Sequence, residues 1–218
     1  MNKMIIANWK MNILPSEAVK YVMELEKEEI DNEIIILAPY IDLPYLRSDI
    51  IKFGSQNIHQ KNSGPFTGEI SSLMLKDINI NYCLIGHSER REVFKENNTL
   101  INLKVRNAIN NGLTVILCVN SIQTLMTDII GINDYKNLIV AYEPDDYIGG
   151  IKIAPTNEIT NFIKEARELT SDNLKVVYGG GINSTNIETI KEIDGLDGII
   201  IGSNSINIDK FKEIIKKY

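Results

Sequence analysis

This chain is poor in several residue types, and each shortage removes a class of function. Only two of its 218 residues are cysteine and only two are histidine. Cys83 and Cys118 sit inside the apolar runs INYCLIG and LTVILCVN, the setting of buried free thiols in a reducing compartment, so neither is given a redox or metal role. No run approaches the roughly 18 apolar residues of a membrane span, and MNKMIIANWK has no long apolar stretch followed by a small-residue cleavage site. Both absences predict a cytoplasmic protein with no membrane partner. Excess basic charge is missing as well. Against 23 Lys and Arg stand 29 Asp and Glu, a formal charge of -6, the wrong sign for a broad nucleic-acid footprint. No linker rich in Pro, Gly or Ser, no charge block and no low-complexity tract divides the sequence, so residues 1–218 are read as one domain.

Short apolar runs are what the sequence has in plenty. Hydrophobic residues make up 44% of it and cluster into MIIAN, IIILAP, FGSQN, YCLIG, TVILCV, LIVAYEP, KVVYGG and GIIIG. Each run is short and almost continuously apolar, the pattern of a parallel strand covered on both faces. Helix-like segments lie between them, at 16–29 with Ser16 as N-cap, 97–111, 156–170, 184–193 and 204–217, with room for a short one at 122–130. Eight strand–helix alternations within 218 residues predict an α/β fold, a shortened (β/α)8 barrel. An open doubly wound sheet uses the same local units, and periodicity does not separate the two.

In a closed barrel the chemistry sits at the C-terminal strand ends, and there the sequence turns polar. Asn8-Trp9-Lys10 follows the first run, Gly86-His87-Ser88-Glu89-Arg90-Arg91 the fourth, and Tyr142-Glu143-Pro144, then Ile148-Gly149-Gly150, the sixth. The seventh ends in Gly179-Gly180-Gly181 and the eighth in Gly202-Ser203. Lys10, His87 and Glu143 at three strand ends form an acid/base set. A carboxylate can take a proton from carbon next to a carbonyl, a neutral imidazole can donate to the oxygen, and an ammonium can stabilise the enediolate. The N–H groups of Gly181, Gly202 and Ser203, beside a helix start, suit a phosphate. Plainer readings stand beside these: Lys10 as a surface lysine, Glu143 as a turn residue before proline, the glycines as backbone turns, His59 as structural.

The strings ANWKMN, SQN, GPFTGEIS, IGHSERR, AYEP, YGGG and DGIIIG, in that order, resemble the triosephosphate isomerase family over essentially the whole chain. The resemblance implies a TIM barrel that interconverts dihydroxyacetone phosphate and glyceraldehyde 3-phosphate through an enediolate, with no metal or organic cofactor. It makes Glu143 the base, His87 the electrophile and Lys10 the electrostatic stabiliser. It also implies that Asn8 binds substrate beside Lys10 and that Glu89 is the supporting carboxylate near it. By the same resemblance Gly149 falls on a mobile phosphate-gripping loop, and Gly181, Gly202 and Ser203 are expected to donate backbone hydrogen bonds to the phosphate. Segment 59–71 resembles a loop that reaches into a neighbouring subunit, with Thr67 as the contact. A homodimer is expected, a tetramer being the other assembly.

The chain also departs from that pattern. Asp146 stands where a tryptophan usually follows AYEP, and Cys118-Val119-Asn120-Ser121 replaces CIGE, so the glutamate that can bond that tryptophan is absent together with it. The lid reads IGG-IKIA in place of IGTG, by substitution at Gly150 and Ile151 or by a one-residue deletion, and Gly181 replaces a common serine. A poorly gripping lid would leave a reactive enediolate open to water. That keeps a second reading alive, a barrel of impaired activity that serves as a binding or scaffold protein. Another phosphate-binding barrel isomerase or synthase would share the glycine loops without NWK, GHSERR and AYEP.

Overall fold

In the computed structural model, which describes residues 3–218, each apolar run forms a strand. These are β1 (Met4–Asn8), β2 (Glu33–Ala38), β3 (Ile51–Ser55), β4 (Tyr82–Ile85), β5 (Thr114–Val119), β6 (Leu138–Tyr142), β7 (Lys175–Gly179) and β8 (Gly198–Ile201). Sequential strands pair in parallel, and β1 also pairs with β8, from Met4 opposite Gly198 to Ala7 opposite Ile201, so the sheet closes on itself. Closure removes both sheet edges and decides against the open doubly wound sheet.

Around the strands lie α1 (Pro15–Leu25), α2 (Ser72–Asp77), α3 (Ser88–Glu92), α4 (Asn98–Asn110), α5 (Ile122–Asp128), α6 (Thr156–Leu169), α7 (Ile187–Lys191) and α8 (Ile208–Lys217). Shortening falls in particular places. Only a 3-10 turn, Leu43–Tyr45, links β2 to β3, and α7 has five residues. The expected helix at 184–193 loses its start because Asn183 and Asn186 bond their own backbone: Asn183 Oδ1 accepts from Thr185 N–H and Asn186 Oδ1 from Asn183 N–H, both at 2.9 Å. The expected helix at 204–217 breaks into a turn, Ser203–Ser205, and α8, whose cap Asn207 accepts from Asp209 and Lys210 N–H groups. Ser16 is not an N-cap. Leu14 holds that place, because Pro15 has no N–H to satisfy and starts the helix with its φ already set. Asn97 does cap α4, accepting from Leu100 N–H at 2.9 Å.

Helical spacing buries one face of each longer helix. Ile159, Phe162 and Ile163 of α6, and Phe211, Ile214 and Ile215 of α8, point into the core. Each such side chain contributes about 1.5–3 kcal/mol on leaving water. Along the strands, alternate residues enter separate cores. Met4 and Ile6, Ile35 and Leu37, Ile116 and Cys118, Ile139 and Ala141 fill the barrel interior. Ile5 and Ala7, Ile34 and Ile36, Val115 and Leu117 pack outward under the helices. The inward series runs on to Asn8, to Glu143 just past β6 and to Gly202 just past β8, so the packed interior rises directly into a polar mouth. Cys118 inside and Cys83 outside are free thiols whose burial pushes both pKa values up. Among the described residues no helix is long and apolar enough to cross a membrane.

Candidate active site

Asn8, Lys10, His87, Glu143, Gly149, Gly181, Gly202 and Ser203 all line one cavity of about 260 Å³ at the C-terminal mouth. Glu89 is outside it. Its half-exposed carboxylate reaches Lys10 from the side, with Oε1 2.8 Å from Nζ. Thr67 lies elsewhere, in the run 61–69 where every residue is exposed.

Lys10 is held in a backbone conformation that suits it badly. Its φ of 52° is left-handed, at a cost of order 1–3 kcal/mol for a residue with a side chain. The surroundings over-determine it. Asn8 Oδ1 accepts from Lys10 N–H at 3.1 Å, and Gln56 Nε2 donates to the Lys10 carbonyl at 2.8 Å and to the Leu37 carbonyl at 3.0 Å. Between Asn8 and Lys10, Trp9 is fully buried on the helix side, edge-on to Tyr21 at 5.0 Å. The tripeptide therefore sends two polar groups to the mouth and anchors itself with the third.

His87 depends on the residue before it. Gly86 has φ 74°, and a Cβ there would meet the Arg91 guanidinium at 2.7 Å. That guanidinium donates to the carbonyls of Gly86 at 2.7 Å and Cys118 at 2.9 Å and to Asp128 Oδ2 at 2.5 Å, clamping the end of β4 to β5. Burial pushes the Asp128 carboxyl up to about 6, against the pull of Arg91. His87 then caps α3, its Nδ1 accepting from Glu89 N–H at 3.3 Å. An accepting Nδ1 leaves the ring proton on Nε2, which stands 4.0 Å from Glu143 Oε1.

Glu143 is 9% exposed, and its N–H donates to the Val119 carbonyl at 2.9 Å. Among the described residues its buried Oε2 has no hydrogen-bond partner, which leaves lone pairs uncommitted on a carboxylate that borders the cavity. Such an oxygen is costly to keep and is what proton abstraction from carbon requires.

The opposite wall is rich in glycine. No protein acceptor engages the N–H groups of Gly181, Gly202 or Ser203 among the described residues. Gly181 has φ 58°, and a Cβ there would fall 2.0 Å from the Lys152 carbonyl oxygen, so the segment after β6 lies directly on the loop after β7. Asn183 and Asn186 fasten it, their amides donating to the Ile151 carbonyl at 3.2 and 3.4 Å and both to the Gly181 carbonyl at 2.9 Å. At its far end Ala154 N–H donates to the Tyr178 hydroxyl at 2.9 Å.

Sequence reasoning missed Gln56, Asn183 and Asn186 as supports, and a buried ion cluster beside the mouth. Lys104 Nζ donates to Glu96 Oε1 at 2.6 Å and to Asn57 Oδ1 at 2.8 Å, and Arg90 shares the same carboxylate oxygen. The string SQN was visible, but nothing in one sequence says which backbone an amide will reach.

Comparison with known proteins agrees with this geometry. A family model described as triosephosphate isomerase matches residues 3–218. Curated relatives with that name include those of Gloeothece citriformis, 35% identical over 99% of this chain and 99% of the relative, and Mycoplasma mobile, 34% identical over 98% and 99%. The protein of Trichodesmium erythraeum is 33% identical over 99% of both chains. A match that spans nearly every residue and both ends of each relative includes all of the strand ends described above, and on that ground the chain belongs to the triosephosphate isomerase family.

Proposed function

We propose that this chain interconverts dihydroxyacetone phosphate and glyceraldehyde 3-phosphate, with Glu143 as base, His87 as electrophile and Lys10 as electrostatic stabiliser. The observation that carries the assignment is the convergence of those three side chains on one cavity whose other wall carries Gly149, Gly181 and Gly202. Glu143 takes a proton from C1 of the ketone, and the electron pair moves to the carbonyl oxygen at C2. His87 Nε2–H donates to that oxygen while the Lys10 ammonium offsets the developing charge; one such contact is worth about 10²–10³ in rate. Once the hydroxyl proton has passed between the two oxygens, Glu143 returns its proton to C2 and the aldehyde forms. Triosephosphate isomerase is itself the standard example of a neutral histidine in this role and of a closing loop. Asn8 orients the substrate beside Lys10, Glu89 supports Lys10 from outside the cavity, and the N–H groups of Gly181, Gly202 and Ser203 hold the phosphate under Gly149 of the lid.

Steady-state conversion of glyceraldehyde 3-phosphate by the purified protein, with methylglyoxal followed alongside, tests the reading. Isomerisation should far exceed elimination. Tight binding of phosphoglycolate without turnover would instead support the scaffold reading, for which no observation here speaks.

The same reading makes the chain a single cytoplasmic domain that works as a homodimer. A hollow of about 240 Å³ beside Lys10 and His87 is bordered by Met11 and Phe94, which are 95% and 61% exposed, and exposed apolar side chains at such a place suit a partner. Thr67 of the partner subunit would enter there. Thr67→Arg should give a monomer with weak activity by analytical ultracentrifugation; a variant that sediments with the parent removes Thr67 from the contact, and a four-chain parent would replace the dimer with a tetramer.

A further inference from the structure

The lid leaves β6 through Pro144 and a 3-10 turn, Asp145–Tyr147. Among the described residues, one side-chain hydrogen bond ties positions 144–150 to another segment: Asn120 Nδ2 donates to Asp145 Oδ2 at 2.7 Å. Asn120 is held in turn. Its Oδ1 accepts from the Thr124 hydroxyl at 2.7 Å, and that hydroxyl lies 3.0 Å from Oγ of Ser121, the residue that caps α5. Val119 and Tyr142 are partners in the β5–β6 ladder, so Asn120 and Glu143 leave adjacent strands side by side. A second hollow, of about 130 Å³, has Cys118, Asn120, Glu143 and Asp145 in its wall, so Glu143 borders both this hollow and the substrate cavity.

We infer that Asn120 is a positioning residue for the reaction, acting through Asp145 to hold the first turn of the lid and, one residue further back than Pro144, the Glu143 carboxylate. An amide is the right group because it must donate to a carboxylate on one side and accept from a hydroxyl on the other. The pair restrains the lid entrance where this chain has neither a tryptophan after AYEP nor a glutamate at Ser121. A carboxylate at position 120 would set two like charges against each other at hydrogen-bond distance and push the turn away. The inference rests on the proposed isomerase reaction, and its test contains one readout that does not.

Three variants decide it: Asn120→Asp, Asp145→Asn, and the two combined, which reverses donor and acceptor while still accepting from Thr124. Asn120→Asp should lower kcat/KM about ten-fold and raise the methylglyoxal share, the scale of one charged hydrogen bond lost. Asp145→Asn alone should cost less than about three-fold, since two amides still pair, and the combined variant should return to within about two-fold of the parent. All three should melt within about 2 °C of the parent, because the pair lies at the surface. Full activity in Asn120→Asp, or a combined variant no better than Asn120→Asp, overturns the inference. Amide hydrogen exchange at 145–148 reads the restraint without turnover. Faster exchange in Asn120→Asp that the combined variant reverses supports the pair even in a protein without isomerase activity, a result that would sink the proposed function alone. Equal exchange in all three variants sinks the pairing.

Discussion

The two walls of the mouth are built in opposite ways. On the wall proposed to handle protons, at the ends of β1, β4 and β6, the side chains are held by their surroundings: Lys10 by Asn8 and Gln56, His87 by Gly86 and Glu89, Glu143 by burial and its backbone bond to β5. On the wall proposed to hold the anion, at segment 148–151 and the ends of β7 and β8, five glycines stand among Ile148, Ile151, Ile182 and Ser203. The N–H groups of Gly181, Gly202 and Ser203 have no protein acceptor among the described residues, and Gly181 lets the Lys152 backbone rest against it. Proton transfer from carbon depends on placing a few atoms within hydrogen-bond reach, which rewards rigid, strained side chains. A phosphate needs many donors and must come and go, which rewards exposed backbone on a movable segment.

The largest effects belong to the first wall. Glu143→Gln keeps the size of the side chain and removes the base, so kcat should fall by about three orders of magnitude or more while phosphoglycolate still binds. Steady-state kinetics and calorimetry check this; kcat within ten-fold of the parent removes Glu143 from the role. Lys10→Gly should lose about 10²–10³ in kcat and yet gain about 1 kcal/mol of stability in urea unfolding, since glycine accepts a φ of 52° without strain. A destabilised variant would show that Lys10 is comfortable where it is, and the contrast between the walls would lose its sharpest case.

Smaller effects test the second wall. Gly181→Ser restores the residue common in the family, but its Cβ has no room against Lys152, so KM for triose phosphate should rise about ten-fold with a lesser change in kcat. Parent-like KM would mean that the lid is not seated on Gly181 during turnover. The smallest effect is a slope. Asp128 has a folded pKa of about 6, above the ordinary value near 3.9. Between those values the folded state binds the more protons, so stability falls as pH rises from about 4 to 6. Asp128→Asn should flatten that slope in urea titrations at pH 4, 5 and 6; parallel curves would place the Asp128 carboxyl in the ordinary range.

Much of this was legible from residue order. The apolar runs MIIAN and LIVAYEP already place Asn8 and Glu143 at strand ends, and a glycine before His87 marks a turn. Other features were illegible for stated reasons. Pro15 rather than Ser16 begins α1 because the proline satisfies its own end. Asn183 and Asn186 cut α7 short by bonding locally, a competition that propensity does not rank. Gln56 and Asn120 act on backbone or side chains in other strands' loops, and no spacing rule links them to their partners.

Residue order alone thus determined the number of strands and the residue types at each strand end, because those are local and periodic properties. Closure of β1 on β8, the strained Lys10, the seating of the lid on Gly181 and the Asn120–Asp145 pair were decided by the tertiary structure. Each joins residues far apart in the chain, and contacts of that kind exist only once the barrel has brought its strand ends to a common rim.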